Sequence, residues 1–213
     1  MLITRILTAA VLAGAFIPAL FLLPTGAWSA LSLLVIAACA VEWAGLSGVH
    51  GRLWQAGYGA CIAGCALAVM LSFLSTTSWY VAASLFWLLT VPWLLFKGRL
   101  PKSLVFKLAA GVLALVPAGL AMMEIRNLSP GLLLSLMAIV WISDSAAYFS
   151  GRAWGRRKLA SAISPGKTWE GVYGALVCVL VYAIICTMTL EHIVIPRWLS
   201  EGDAMLLISI FWL

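Results

Sequence analysis

Long apolar runs alternate with short polar connections along almost the whole chain. Several of these runs reach the length of about 20 residues that an α-helix needs to cross the hydrocarbon core of a bilayer. The pattern therefore predicts an all-α fold, a polytopic transmembrane helix bundle, with seven complete spans and an incomplete eighth in one integral membrane domain over residues 1–213. The predicted spans are 6–23, 28–47, 56–74, 79–96, 104–122, 129–150 and 170–190, followed by the incomplete 204–213.

The first and last apolar segments differ most from ordinary membrane spans. The first follows Arg5 as a signal peptide would, but its apolar core exceeds the usual 7–15 residues and another span follows at once, so we expect a retained helix. The segment 204–213 would rise only about 15 Å as a helix, half of the hydrocarbon thickness. Its last carbonyl groups would lack partners in lipid, so the segment either re-enters a cavity lined by protein or belongs to a longer protein, and we favour the second interpretation.

Composition and charge agree with a membrane protein. Charged residues make up 9% of the chain and hydrophobic residues 64%, whereas soluble domains have about 25% and 45–50%. The net charge of +6 could suit nucleic acid, but the cations lie at the ends of predicted spans, so we expect no nucleic-acid partner. The N-terminal segment and the even-numbered connections, counted with their flanks, hold 11 of the 13 Lys and Arg residues. The positive-inside rule therefore places the N-terminus and the connection 151–169 in the cytoplasm.

The connection 151–169 is the most polar part of the chain, and we call it the basic loop. Its five cations are Arg152, Arg156, Arg157, Lys158 and Lys167. Arginine offers a planar fork to phosphate oxygens and lysine a compact charge, and the amides at the start of the next helix could also receive an anion. Two interpretations stay open on composition alone: a phosphate site, or a topogenic loop that contacts anionic lipid headgroups.

Asp144 is a carboxylate inside the sixth predicted span. A charged group there is energetically expensive and by default suggests a function. Tyr148 and Arg152 follow at i+4 and i+8, which places all three on much the same helix face. Either Asp144 is satisfied by a hydroxyl or by Arg152 and holds the helix end, or its carboxylate binds a cation or orients a phosphate site.

Three strings of residues resemble the phosphatidate cytidylyltransferase family, the bacterial CDP-diacylglycerol synthases. They are Asp144-x-x-Ala-Tyr-Phe-x-Gly-Arg152, Gly155-Arg-Arg-Lys-Leu159 and Ser164-Pro-Gly-Lys-Thr-Trp-Glu-Gly171. The last string is the most specific, and it lies between two predicted spans as the family requires. The resemblance extends over about 40–190 and is strongest over 141–175.

The resemblance implies an Mg²⁺-dependent enzyme of phospholipid biosynthesis in the bacterial inner membrane. Its substrates would be CTP and phosphatidic acid, and its products CDP-diacylglycerol and diphosphate. By similarity, Asp144 and Lys167 are the candidate catalytic residues, and Asp144 is also a candidate metal ligand. The implied substrate-binding residues are Arg152, Arg156, Arg157, Lys158, Ser164, Thr168 and Glu170.

The 213 residues do not include the aspartate-rich C-terminal block that holds the family's main metal ligands. We therefore expect either a cytidylyltransferase, inactive if the chain is confined to these residues, or a non-catalytic family member that binds lipid or nucleotide. Membrane lipid is an expected partner in both cases, and a homodimer is a further expectation.

Overall fold

The computed structural model describes residues 2–72, 75–97, 101–160 and 164–190. The predicted all-α membrane architecture is confirmed, with one small β-hairpin added. The elements in chain order are α1 (Leu2–Leu22), α2 (Thr25–Ser47), α3 (Arg52–Leu71), α4 (Thr77–Leu85), a π-helical segment (Phe86–Thr90), α5 (Val91–Lys97), α6 (Leu104–Leu128), α7 (Pro130–Trp154), β1 (Lys158–Ala160), β2 (Ser164–Thr168) and α8 (Trp169–Leu190).

Five of the described helices are long and apolar enough to cross a membrane. They are α2, α3, α6, α7 and the Trp169–Cys186 part of α8. In α1 the apolar stretch Val11–Leu22 is shorter, and the predicted span 79–96 is divided among three segments. The predicted incomplete span 204–213 lies outside the described residues, so the exact number of spans stays a prediction.

The division of the predicted span 79–96 has a local cause. Pro92 has no N–H group and therefore cannot complete the regular hydrogen-bond ladder of an α-helix. Just before it, the N–H of Val91 donates to the carbonyl oxygen of Phe86, five residues back, which is the π-helical pattern. The run of helix thus continues past the proline by widening one turn.

The chain divides into two compact units. Unit 1 comprises Met1–Ala83 and Pro101–Pro130, and unit 2 comprises Ser84–Leu100 and Gly131–Leu213. The core of unit 1 is formed where α2, α3 and α6 meet, and its buried members are Ile36, Ala40, Ile62, Ala66, Val69, Val116 and Leu120. Small residues permit this close packing: a Cβ on Gly59 would lie 2.9 Å from the carbonyl oxygen of Ala37.

The helix ends of unit 1 are joined by side chains that bond to backbone carbonyls. At one end the Trp43 indole donates to the Lys107 oxygen at 2.8 Å, and Lys107 Nζ donates to the Ser47 oxygen at 3.2 Å. At the end of α6, the buried Arg126 donates through Nε to the Leu20 oxygen at 3.1 Å. Polar groups thus fasten helices at their ends, where regular helical hydrogen bonds run out.

Unit 2 contains α7, the hairpin and α8. Strands β1 and β2 are antiparallel, with Lys158 opposite Thr168 and Ala160 opposite Ser164, and the register shifts between these two pairs. Within the predicted basic loop 151–169, the described residues form the last turn of α7, a bulged hairpin and the first residue of α8. Further along the helices, the Tyr182 hydroxyl donates to the Ser135 oxygen at 3.3 Å and links α8 to α7.

Candidate functional site

A cavity of 720 Å³ opens between α7, the hairpin and α8 of unit 2. We call it the α7–α8 cavity. Polar and charged residues of α7 and of the hairpin line it together with apolar residues of both helices. The lining residues are Ile139, Ser143, Asp144, Ala147, Tyr148, Gly151, Arg152, Leu159, Gly166, Lys167, Thr168, Gly171, Val172, Ala175, Leu176 and Val179.

The α7 side of the cavity carries the predicted polar face. Asp144, Tyr148 and Arg152 are spaced four residues apart, so one face of the helix presents all three, and all three line the cavity. Arg152 Nη1 donates to the Tyr148 hydroxyl at 2.9 Å. Among the described residues no ion pair or hydrogen bond engages the Asp144 carboxylate, which is exposed. Arg152 therefore does not satisfy Asp144 here, and the carboxylate faces the cavity available to a ligand.

Glycines allow α7, the hairpin and α8 to approach closely around the cavity. A Cβ on Gly155 would overlap the Gly151 carbonyl oxygen and lie 2.9 Å from the Thr168 methyl group. A Cβ on Gly171 would lie 2.9 Å from the Ala147 carbonyl oxygen. Only glycine fits these positions without displacing backbone, so the cavity wall depends on residues that carry no chemistry of their own.

A bulge in the hairpin separates the two lysines of the basic loop. Pro165, Gly166 and Lys167 stand opposite the single residue Leu159, which is the irregularity in the strand pairing. Lys158 Nζ donates to the Pro165 oxygen at 2.7 Å, whereas Lys167 lines the cavity. Bulges turn side chains away from the regular strand alternation, and this bulge leaves Lys167 free to serve a ligand while Lys158 holds the strands together.

The start of α8 is capped from within the chain. The buried Thr168 accepts a hydrogen bond at Oγ1 from the Gly171 amide at 3.3 Å, as an N-cap residue does. The Trp169 amide donates to the Arg157 oxygen at 3.0 Å. Two of the first three amides of α8 are thus already engaged, so the expectation that this helix end receives an anion gains no support.

Glu170 fastens the basic loop to α8. Both of its carboxylate oxygens accept from the Arg157 amide, each at 3.2 Å. Glu170 does not line the cavity. The carboxylate is thus engaged in holding the Arg156–Arg157 turn against the first turn of the helix.

The predicted site residues fall into two groups. Asp144, Arg152, Lys167 and Thr168 meet at the α7–α8 cavity, and their proposed roles stay predictions. The predicted residues that do not line the cavity are Arg156, Arg157, Lys158, Ser164 and Glu170. Arg156, Arg157 and Lys158 are exposed on the outer part of the hairpin region.

The small residues of this region had no predicted role. Ser150 is buried, and its hydroxyl donates to the Ala146 oxygen at 2.6 Å and lies 3.5 Å from the Gly171 oxygen. The spacing Gly151-x-x-x-Gly155 is a signal that could have indicated close helix packing. The apolar lining gives no separate signal, because Leu176 and Val179 look like any lipid-facing residues of a span.

Together, the fold and the site define an integral membrane protein of helical architecture with a cavity lined by cations and one carboxylate. The model of the family described as "Cytidylyltransferase family" matches residues 3–212. The chain therefore belongs to the cytidylyltransferase family, and the predicted classification as a CTP-dependent nucleotidyltransferase is confirmed.

Similarity to individual proteins agrees with this assignment. A phosphatidate cytidylyltransferase of Pseudomonas aeruginosa is 39% identical over 187 residues, covering 83% of this chain and 67% of that protein. The Haemophilus influenzae protein of the same name is 61% identical over 54 residues, covering 25% of this chain and 19% of that protein. The Bacillus subtilis protein of the same name is 49% identical over 65 residues, covering 29% of this chain and 24% of that protein. No solved structure matches the chain.

Proposed function

We propose that this chain is a phosphatidate cytidylyltransferase, which converts CTP and phosphatidic acid to CDP-diacylglycerol and diphosphate for phospholipid synthesis. The proposal rests on family membership, on the names of the relatives and on the lining of the α7–α8 cavity. One observation carries it: Arg152 and Lys167 converge with Asp144 on a cavity whose remaining wall is mainly apolar.

The distribution of the lining residues suits a lipid phosphate. The charged residues come from the end of α7 and from the hairpin, whereas the apolar ones continue along both helices. Ile139 lies about 7.5 Å along α7 from Asp144, and Val179 about 12 Å along α8 from Gly171. A phosphate could meet the two cations while an acyl chain follows the apolar walls. A soluble nucleotide alone would not need the apolar extension.

The reaction brings two anions together, and the cations address that difficulty. An oxygen of the phosphatidate phosphate attacks the α-phosphorus of CTP, a new P–O bond forms, and the bond to the β-phosphate oxygen breaks to release diphosphate. Arg152 and Lys167 would reduce the repulsion between the phosphates and stabilise the charge that develops on the leaving group. The Tyr148 hydroxyl accepts a hydrogen bond from Arg152 and would hold its guanidinium in position.

A magnesium ion is part of this proposal, and the donor set is compatible with one. Mg²⁺ commonly binds through one or two carboxylates, with water and substrate phosphates completing the octahedron. Asp144 is the carboxylate among the described lining residues, and none of the described residues engages it. Asp144 would therefore hold the ion, which when bound would neutralise phosphate charge. Glu170 does not fit this role, since Arg157 occupies its carboxylate.

The proposed location is a bacterial plasma membrane, with the N-terminus and the hairpin region on the cytoplasmic side. The charge distribution supports this orientation, and the bacterial sources of the relatives support the type of membrane. CTP would then reach the α7–α8 cavity from the cytoplasm, and phosphatidic acid from the membrane. The absence of a nucleic-acid partner and the homodimer stay predictions.

The direct test uses the full chain reconstituted in liposomes with phosphatidic acid, labelled CTP and Mg²⁺. We expect labelled CDP-diacylglycerol and diphosphate in equal amounts, with the product depending on all three components. Asp144→Asn should raise the Mg²⁺ concentration needed for half-maximal turnover. Lys102→Ala serves as a control, because that lysine lies in the connection before α6 and should leave turnover unchanged.

The outcomes distinguish the two functions that the sequence left open. Turnover that is insensitive to Lys167→Ala would contradict a role for the α7–α8 cavity. Retained CTP binding without turnover would instead favour a non-catalytic protein that binds nucleotide. Loss of both would contradict the proposal as a whole.

A further inference from the structure

A second cavity lies in unit 1, at the ends of α3 and α6 and beside the start of α2. It has a volume of 310 Å³, and we call it the unit 1 cavity. Apart from four apolar side chains its wall is polar. The lining residues are Ser29, Val69, Met70, Ser72, Ser75, Thr76, Leu120, Met123, Glu124 and Asn127.

The electrostatics of the unit 1 cavity favour a cation. Glu124 is the charged residue among the described lining residues, and the other polar groups are hydroxyls and one amide. The Tyr80 hydroxyl donates to Glu124 Oε2 at 2.8 Å, which fixes the carboxylate but leaves Oε1 to face another partner. No described lining residue carries a positive charge, and the guanidinium of the nearby Arg126 donates to the Leu20 carbonyl oxygen. An uncompensated carboxylate beside a polar cavity attracts positive charge.

Ser29 adds an unpaired polar group to the wall of the unit 1 cavity. Its side chain is 5% exposed, and Oγ has no hydrogen-bond partner among the described residues. Buried hydroxyls are rarely left unpaired, because an unsatisfied polar group costs about 1–3 kcal/mol. Because Oγ is itself buried, the Ser29 side chain would have to rotate to bond to an occupant of the cavity that it lines.

Size and wall chemistry narrow the kind of cation. At about 30 Å³ per water, the 310 Å³ of the cavity exceeds what one dehydrated metal ion fills. A calcium ion would also need 6–8 oxygen ligands, usually with several carboxylates, and this wall has one. Quaternary ammonium groups are recognised by aromatic cages, whereas no described lining residue is aromatic. A primary ammonium group, with three N–H donors, matches a wall of acceptors.

We propose that the unit 1 cavity binds a primary ammonium group, held by Glu124 and Asn127. The group could come from the headgroup of an aminophospholipid or from a free amine. The ends of membrane-spanning helices lie at the level of the lipid headgroups, and this cavity is at the ends of two such helices. The site does not depend on the function proposed for the α7–α8 cavity.

Thermal unfolding of the full chain in nanodiscs tests the proposal. One arm compares phosphatidylethanolamine with phosphatidylcholine discs, and a second adds free ethanolamine or choline to phosphatidylcholine discs. Since a ligand that binds the folded state stabilises it, we expect the primary amine to raise Tm by about 3 °C or more relative to its quaternary counterpart. A higher Tm only in the phosphatidylethanolamine discs identifies a headgroup site. A higher Tm with free ethanolamine identifies a site that is open to soluble amines.

Two matched carboxylate variants locate the effect. Glu124→Gln should abolish the difference between primary and quaternary amines, whereas Glu42→Gln should retain it, because Glu42 is an exposed residue of α2 outside the cavity. If Glu124→Gln fails to fold, the comparison of ethanolamine with choline on the wild-type protein still tests whether a primary ammonium group binds. Equal shifts with the two amines, no shift with either, or an undiminished shift in Glu124→Gln would each overturn the proposal.

Discussion

Glu170 and Arg157 form the contact that joins the basic loop to the following helix. Both carboxylate oxygens of Glu170 lie 3.2 Å from the amide nitrogen of Arg157, so the bond depends on the backbone of Arg157 and not on its charge. The Trp169 amide reinforces the contact by donating to the Arg157 oxygen at 3.0 Å. The position of the hairpin is therefore set by α8. The hairpin in turn supplies Lys167 and Thr168 to the α7–α8 cavity.

Glu170 should act by positioning the loop. Glu170→Ala should lower kcat/KM on the order of tenfold, because the bond to the Arg157 amide is lost. Glu170→Gln keeps one carbonyl acceptor, so its kcat/KM should fall less than that of Glu170→Ala. The Mg²⁺ concentration for half-maximal turnover should be the same in both variants and in the wild type. An increased Mg²⁺ requirement would instead assign the carboxylate to the metal.

Gly155 should be the most sensitive small residue at the end of α7. Gly155→Ala should lower the free energy of unfolding by about 1–3 kcal/mol, because its Cβ would overlap the Gly151 carbonyl oxygen. Gly166→Ala is the matched control in the same region, since a Cβ there meets nothing within 4 Å. Its effect should stay within about 0.5 kcal/mol. Equal Tm values for the two variants in thermal unfolding would contradict the close approach of Gly155 to the Gly151 carbonyl group.

Arg126 should stabilise unit 1 through geometry as well as charge. Its guanidinium donates to the carbonyl oxygens of Leu20 and Leu23 and lies 5.7 Å from the centre of the Trp28 ring. Lysine keeps the charge but not the planar fork, so Arg126→Lys should lower the free energy of unfolding by about 1.5–3 kcal/mol. Arg52→Lys, at an exposed position of α3, should have little effect. Denaturant titration of both variants measures the difference.

Most helices could be predicted from apolar run length, because a bilayer imposes that length directly. The predicted span 104–122 begins where α6 begins, although the helix continues to Leu128. The predicted span 129–150 corresponds to Pro130–Trp154. Both helices outlast their apolar stretch, since polar residues such as Arg126 and Arg152 remain helical beyond the hydrophobic run.

The hairpin could not be predicted from local pattern. Ser164-Pro-Gly-Lys-Thr168 shows no alternation of apolar and polar residues, and proline and glycine are poor strand formers. Its strand geometry comes from pairing with Lys158–Ala160 and from the cap on α8. The bond between the Arg157 amide and Glu170 could not be predicted either, because spacing alone does not distinguish a carboxylate that faces a ligand from one that bonds to backbone.

We propose that the α7–α8 cavity, and not the overall charge of the basic loop, carries the reaction. The most direct measurement compares CDP-diacylglycerol formation by single arginine and lysine variants from the same loop in liposomes. Arg152→Ala and Lys167→Ala remove residues that line the cavity and should lower kcat/KM on the order of 100-fold. Arg156→Ala removes a loop cation that does not line it and should lower kcat/KM only a few-fold. Equal losses in all three variants would contradict the claim and leave the loop as a general attractor of anions.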